Sequence, residues 1–246
     1  MSASTPPRSH HPDTAPGAAN GRSPGGVAAF SGQPQTAGHP QTASPEYAER
    51  LRRLEGVWWK RVLGAQAPYR WNLRRQRLGR TLDVGCGIGR NLANLAPGSV
   101  GVDHNTEAVD TARARGLRAH TVREFPESSD ARAGGFDSML LAHVVEHMTQ
   151  PEAWELVGRY LPFLKPGGRV LFITPQERGH ASDPTHVWFC GFDEVAALAT
   201  SLRLDVIIRR SFPLPRWAGT LFTYNEFHVL ARKPVGAAAP DNHLAG

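Results

Sequence analysis

The chain has 246 residues, 40% of them hydrophobic, and a formal charge of +6. That length and composition suit one globular domain with appendages, and no apolar run approaches the roughly 20 residues of a membrane span. No apolar leader stretch opens the sequence, so no secretory signal is expected, and two cysteines, Cys86 and Cys190, are too few for a disulfide framework, which points to a reducing, cytoplasmic setting.

Residues 1–45 are rich in Pro, Gly, Ser, Ala, Thr and His and nearly lack large apolar side chains. Such a segment cannot bury enough surface to offset the entropy of ordering, and a disordered tail is expected there. Residues 236–246 read as a second flexible tail, leaving one domain over 46–235. Its first part, 46–80, is a basic helical cap with ten Lys/Arg against three Glu. Leu51, Leu54, Trp58 and Val62 recur at three- and four-residue steps behind Ser44 and Pro45, the pattern of a capped amphipathic helix. "APYRWNLRRQRL" is a second helical piece.

From there strand and helix signals alternate. "RTLDVG" reads as a strand and "GRNLANLA" as a helix; "SVGVDH" as a strand and "TEAVDTARARG" as a helix; "LRAHTV" as a third strand. "FDSMLLAH" is a fourth, "PEAWELVGRYLPFLKPG" carries a helix, "GRVLFITP" is a fifth, "FDEVAALATSLR" a helix, and "LDVIIRRSF" and "NEFHVLARK" are late strands. Strands alternating with helices imply an α/β, doubly wound, mostly parallel sheet.

"LDVGCGIGRN" follows the first strand and opens a helix, whose N-terminus offers unpaired N–H groups. Gly85, Gly87 and Gly89 permit a tight turn and close backbone approach to a ligand. About 20 residues on, Asp103 ends the second strand, where a carboxylate can take both hydroxyls of a ribose. A dinucleotide site would want G-x-G-x-x-G, but its third glycine is replaced here by Arg90.

With Asp83 ahead of the glycines, "VGVDH", "FDSMLLAHVVEHM" and "LKPGGRVLFITP", the chain resembles the class I S-adenosylmethionine-dependent methyltransferases, with a distant similarity to the ubiquinone-pathway O-methyltransferases. The resemblance implies a Rossmann-like seven-stranded sheet with an antiparallel last strand, and S-adenosylmethionine as cofactor. It implies that Asp83, Gly85, Cys86, Gly87 and Gly89 surround the methionine end, that Asp103 takes the ribose, that His104 and Val122 flank the adenine, and that Ala142 and His143 stand beside the sulfonium. Relatives often place an acid near Thr121 for the adenine amino group, a task left here to Thr121 or Glu124.

In "LAHVVEHMTQ", His143, Glu146 and His147 stand at i, i+3 and i+4, one face of a helix starting at the strand edge. Metal-using relatives carry E-x-x-E-H there; here His143 replaces the first glutamate, and His186 in "SDPTHVWFCGFDE" is the candidate later ligand. A set of His143, Glu146, His147 and His186 would suit a borderline transition metal over Mg²⁺. Without a metal, His143, His147 or His186 is the candidate catalytic base, since an imidazole titrates near neutrality. No N/D-P-P-Y/F tetrapeptide follows the fourth strand, which argues against the type that methylates amide or base nitrogen. The expected reaction is therefore O-methylation of a small hydroxylated molecule. Trp188, Phe189, Trp217, Phe222 and Tyr224 are candidates for an aromatic acceptor wall. RNA methylation guided by the basic segment, and cofactor binding without catalysis, are the alternatives; no RNA-binding module is recognisable, and nucleic acid is not the expected partner.

Overall fold

The computed structural model describes residues 67–236. The expected tail over 1–45, the amphipathic helix with Trp58 and Trp59, and the C-terminal tail from 237 onward lie outside the described residues. The chain enters on helix α1 (Ala67–Arg75). Strands β1 (Thr81–Val84), β2 (Val100–Asp103), β3 (Ala119–Thr121), β4 (Phe136–Ala142) and β5 (Leu164–Pro175) follow, then β6 (Asp205–Phe212) and β7 (Glu226–Arg232). They form one sheet in the order β3-β2-β1-β4-β5-β7-β6. The first five run parallel to their neighbours, whereas β7 is antiparallel to both β5 and β6. The expected α/β sheet with its reversed last strand is what the chain forms.

Helices α2 (Thr106–Ala114), α3 (Gln150–Tyr160), α4 (Glu177–Ala181) and α5 (Phe192–Ser201) connect the strands. Asn105 caps α2 by accepting the Ala108 N–H, and Thr149 with Glu152 closes a capping box on α3. Side chains alternate between the two faces of the sheet, as the two-residue strand period requires. Met139 and Leu141 point to the larger cluster, where Val157 and Leu161 meet Val195 and Leu198. Leu140 joins Leu171, Ile173 and Leu230 on the other face, under Leu73 of α1. Among the described residues, no helix is long and apolar enough to cross a membrane.

Two expected helices shrink. "GRNLANLA" makes only a 3₁₀ turn at Leu92–Asn94. Pro97 closes this run, and a residue before proline is turned away from the α region, so the stretch is too short to propagate. "AHVVEHM" makes a single 3₁₀ turn at Val145–His147. His143 stands before it with φ +58, in the left-handed region. The three side chains therefore do not share one helix face.

Candidate active site at the carboxyl edge of the sheet

The glycine loop leaves β1 with Gly85, Gly87 and Gly89 all at positive φ. A Cβ on Gly85 would run into Val144, and one on Gly89 into Leu117, so both positions are closed by packing. At Gly87 a Cβ would meet nothing within 4 Å, leaving that backbone open to a ligand. The Cys86 thiol is buried against Gly101 and lies 3.6 Å from the Gly87 carbonyl, and burial pushes its pKa well above the usual thiol range. Cys86 can meet a ligand only through its backbone.

Two carboxylates flank the loop. Asp103 accepts the Gly87 N–H at 2.7 Å on one oxygen and the Asn105 N–H at 2.9 Å on the other, with the His104 ring 3.5 Å away. Its carbonyl accepts the Val122 N–H, so Asp103, His104 and Val122 meet at one corner. Asp83 is buried with one oxygen unpartnered. Burial, followed by the charge of Asp103, pushes its pKa up to about 7, against a hydrogen bond from the Leu92 backbone. Glu124, the candidate for the adenine amino group, already accepts from the Thr121 N–H and from Arg113, which hold its pKa down at about 2.

Beyond β1, the sheet edge is built from side chains. Ala142 ends β4, and His143 follows with its N–H on the Ile173 carbonyl. The His143 ring lies between two carboxylates: Nε2–H donates to Glu226 at 3.0 Å, and Nδ1 is 3.2 Å from Glu146, an ion-pair contact. Burial works against the imidazolium, but Glu146 and Glu226 outweigh it and push the pKa up to about 10. Because the side chain is 45% exposed, solvent screens both carboxylates; the direction still leaves His143 a cation at neutral pH. A ring with both nitrogens so engaged is a poor general base, which removes His143 from the candidate bases.

Glu146, His147 and His186 each offer a ligand atom, and these atoms lie within 4.8 Å of one another. Glu146 is fully buried, with neither oxygen in a hydrogen bond. The two histidines are oriented from behind. Thr185 gives its hydroxyl proton to Asp183, so its Oγ1 accepts from His147 Nδ1–H at 3.0 Å. His186 Nδ1–H donates to the His180 carbonyl at 2.9 Å. Each ring thus keeps its Nε2 lone pair unengaged by these contacts. Burial lowers the His147 pKa, favouring the neutral ring. Three of the four expected ligands can share one point, while His143 meets that group at Glu146 alone and gives its Nε2–H to Glu226.

Sequence reasoning passed over Glu226, His228 and Asn72. Glu226 and His228 sit two apart on β7 and share a face, and a charged alternation at the start of an otherwise apolar strand was the available signal. His228 Nε2–H donates to the second Glu226 oxygen at 2.9 Å; burial would raise the Glu226 pKa, but His143 and His228 hold it at about 2. Asn72 of α1 lies 3.5 Å from His228 and accepts from Arg210 at 2.7 Å. A pocket opens between α1 and the sheet edge, lined by Tyr69, Asn72, Ala142, His143, Glu226 and His228 among others. The expected aromatic wall does not form as one surface. Trp188 packs on the main core, Phe189 packs on His180 and Phe227, and Trp217 is 69% exposed.

Comparisons with known proteins agree with this geometry. A family described as "Methyltransferase domain" matches residues 52–209. No curated protein matches the sequence. Among solved structures, an S-adenosylmethionine-dependent methyltransferase from Archaeoglobus fulgidus is similar at TM-score 0.55 and 17% identity, over 72% of this chain and 98% of that one. The N-methyltransferase NodS from Bradyrhizobium japonicum, solved with S-adenosylhomocysteine, is similar at TM-score 0.56 and 19% identity, over 77% and 97%. The magnesium protoporphyrin IX methyltransferase ChlM from Synechocystis, also with S-adenosylhomocysteine, is similar at 0.55 and 13%, over 79% and 97%. At such identities the likeness is one of fold, but the family match spans more than half of the sequence: the chain belongs to the methyltransferase-domain family.

Proposed function

We propose that the protein transfers a methyl group from S-adenosylmethionine to a hydroxyl of a small molecule, with a divalent transition-metal ion held by Glu146, His147 and His186. The cofactor side fits the residues present. Asp103 would take the ribose, the open backbone at Gly87 would receive the methionine end with Asp83 beneath it, and His104 and Val122 would flank the adenine. When bound, S-adenosylmethionine supplies a methyl group on a sulfonium, open to in-line attack.

One observation carries the choice of oxygen as nucleophile: a buried carboxylate without hydrogen bonds stands beside two histidines with oriented Nε2 lone pairs. Its charged neighbour His143 stands at 3.2 Å without a hydrogen bond to either oxygen, and a buried carboxylate without hydrogen bonds is costly unless a further partner meets it. Metal-ligating histidines donate their other ring N–H to a carbonyl or a comparable acceptor, as His147 and His186 do. One carboxylate and two imidazoles suit Zn²⁺, Mn²⁺ or Fe²⁺. Such an ion supplies Lewis acidity that lowers the pKa of an acceptor hydroxyl. Around it, this chain's residues orient and neutralise. His147 and His186 face the acceptor side, and Ala142 and His143 close the site toward the cofactor.

The test is calorimetry and turnover on the full chain. S-adenosylhomocysteine should bind, and Mn²⁺ or Zn²⁺ should bind in its presence. Methyl transfer to a panel of catechols and vicinal diols should stop with a strong chelator and return with one transition metal. Turnover on amines alone, indifferent to chelator, would refute the oxygen and metal reading while leaving the cofactor site intact.

A further inference from the structure

Glu226 stands apart from the glycine loop and from the Glu146–His147–His186 group, yet it is tied to the latter through one ring. It enters from the first residue of β7, pairs in register with Pro175 of β5, and meets His143 across the end of the sheet. His143 in turn reaches Glu146 at 3.2 Å. Its backbone is in the left-handed region, costly for a non-glycine residue and sustained only where surroundings over-determine it. Glu226 is itself fixed from behind by His228, which Asn72 and Arg210 back in turn. The line therefore runs from β6 and α1, through β7, to Glu146, which lacks a hydrogen bond on either oxygen.

We infer that Glu226 is a positioning residue: acting through His143, it holds Glu146 so that the carboxylate stays turned toward His147 and His186. This rests on the metal-ion reading proposed above. The physical reason is competition. An imidazole with a single carboxylate neighbour would close on Glu146 and draw it away from the two histidines. An imidazole already hydrogen-bonded to Glu226 leaves Glu146 the freedom to meet a second partner. Outer partners of metal-holding side chains commonly set affinity by about 10- to 100-fold.

The experiment is a double-mutant cycle read in Mn²⁺ affinity, by calorimetry on the full chain with S-adenosylhomocysteine present. Glu226→Ala should weaken Mn²⁺ binding about tenfold or more, with S-adenosylhomocysteine affinity unchanged. In a His143→Ala background the same substitution should change Mn²⁺ affinity by less than about threefold, because the intermediary is gone. Glu226→Gln, which keeps an acceptor oxygen for His143 Nε2–H, should lose less than Glu226→Ala. An equal loss in both backgrounds would show that Glu226 acts directly and would overturn the inference. So would a parallel loss of S-adenosylhomocysteine affinity, or a Glu226→Gln variant as weak as the alanine. Wild type binding Mn²⁺ with Glu226→Ala unchanged sinks this inference alone. Wild type without Mn²⁺ affinity sinks the metal-ion reading and this inference together.

Discussion

The two halves of the sheet edge are made differently. At the carboxyl ends of β1, β2 and β3, the site is backbone: three left-handed glycines, amide N–H groups, and two carboxylates that organise them. At the ends of β4, β5 and β7, it is side chains: Glu146, His147, His143, His186 and Glu226, drawn from segments up to 83 positions apart. A backbone cradle recognises what every member of a family shares, because it depends on conformation more than on side-chain identity. A side-chain cluster can vary without disturbing the loop, and this is where one methyltransferase can differ from another. If that division is real, substitutions on the two sides should affect separable binding events.

The largest effect is expected on the side-chain half. Glu146→Gln removes the one anionic member of the proposed ligand set while preserving shape. Mn²⁺ affinity should fall by at least about 100-fold, since a carboxylate ligand is lost outright, whereas S-adenosylhomocysteine affinity should stay within a few-fold. Parallel losses in both titrations would mean that the two halves are one coupled unit.

The reciprocal change is Asp103→Ala. It removes the acceptor for the Gly87 and Asn105 N–H groups and the proposed ribose contact. S-adenosylhomocysteine binding should weaken by about 2–3 kcal/mol, the scale of a charged hydrogen-bonding group lost from a buried site. Mn²⁺ affinity measured without the nucleoside should not move. An unchanged S-adenosylhomocysteine titration would remove Asp103 from the cofactor site.

Legibility in the sequence follows the same division. The glycine loop, Asp83 and Asp103 could be singled out as candidates because their arrangement is local: a strand, a turn and a strand end lie in a readable order. The mostly parallel sheet also followed from alternating α and β signals, and its seven strands with a reversed last one from the family resemblance; the order of the strands did not. The histidine group was found in part. Glu146 and His147 are adjacent, and His186 follows the next strand, but spacing wrongly placed His143 on a shared helix face because the segment takes a 3₁₀ turn behind a left-handed residue. Glu226 and His228 were not legible as site residues. Their meeting with His143 depends on β7 lying beside β5, a long-range pairing that no local pattern encodes.

A pH effect sharpens the comparison on the backbone side. Asp83 has its pKa raised to about 7 in the folded chain, from an ordinary value of 3.8, by burial and by Asp103. The folded state therefore binds a proton that the unfolded state has already released above pH 4. That stabilising proton is fully present at low pH and is lost as pH rises through 7. Between pH 5 and pH 8 wild type should lose on the order of 2 kcal/mol from this group. Asp83→Asn should not, so the Tm of the variant minus that of wild type should grow with pH. A constant difference across that range would show that Asp83 titrates as an ordinary carboxylate.

The smallest expected effect probes how firmly the histidines are held. Thr185 Oγ1 accepts from His147 Nδ1–H at 3.0 Å, but the Thr185 carbonyl also lies 3.3 Å from the same nitrogen. Thr185→Val deletes the hydroxyl and keeps the carbonyl, so the Nδ1–H tautomer survives on one acceptor. The hydroxyl's bond to Asp183 is lost as well. A single neutral hydrogen bond contributes about 1 kcal/mol, which is roughly fivefold in affinity. Mn²⁺ affinity should fall by about that factor, with S-adenosylhomocysteine unaffected. A loss as large as that of Glu146→Gln would mean that the hydroxyl alone sets the ring, and that the backbone carbonyl contributes nothing to orienting His147.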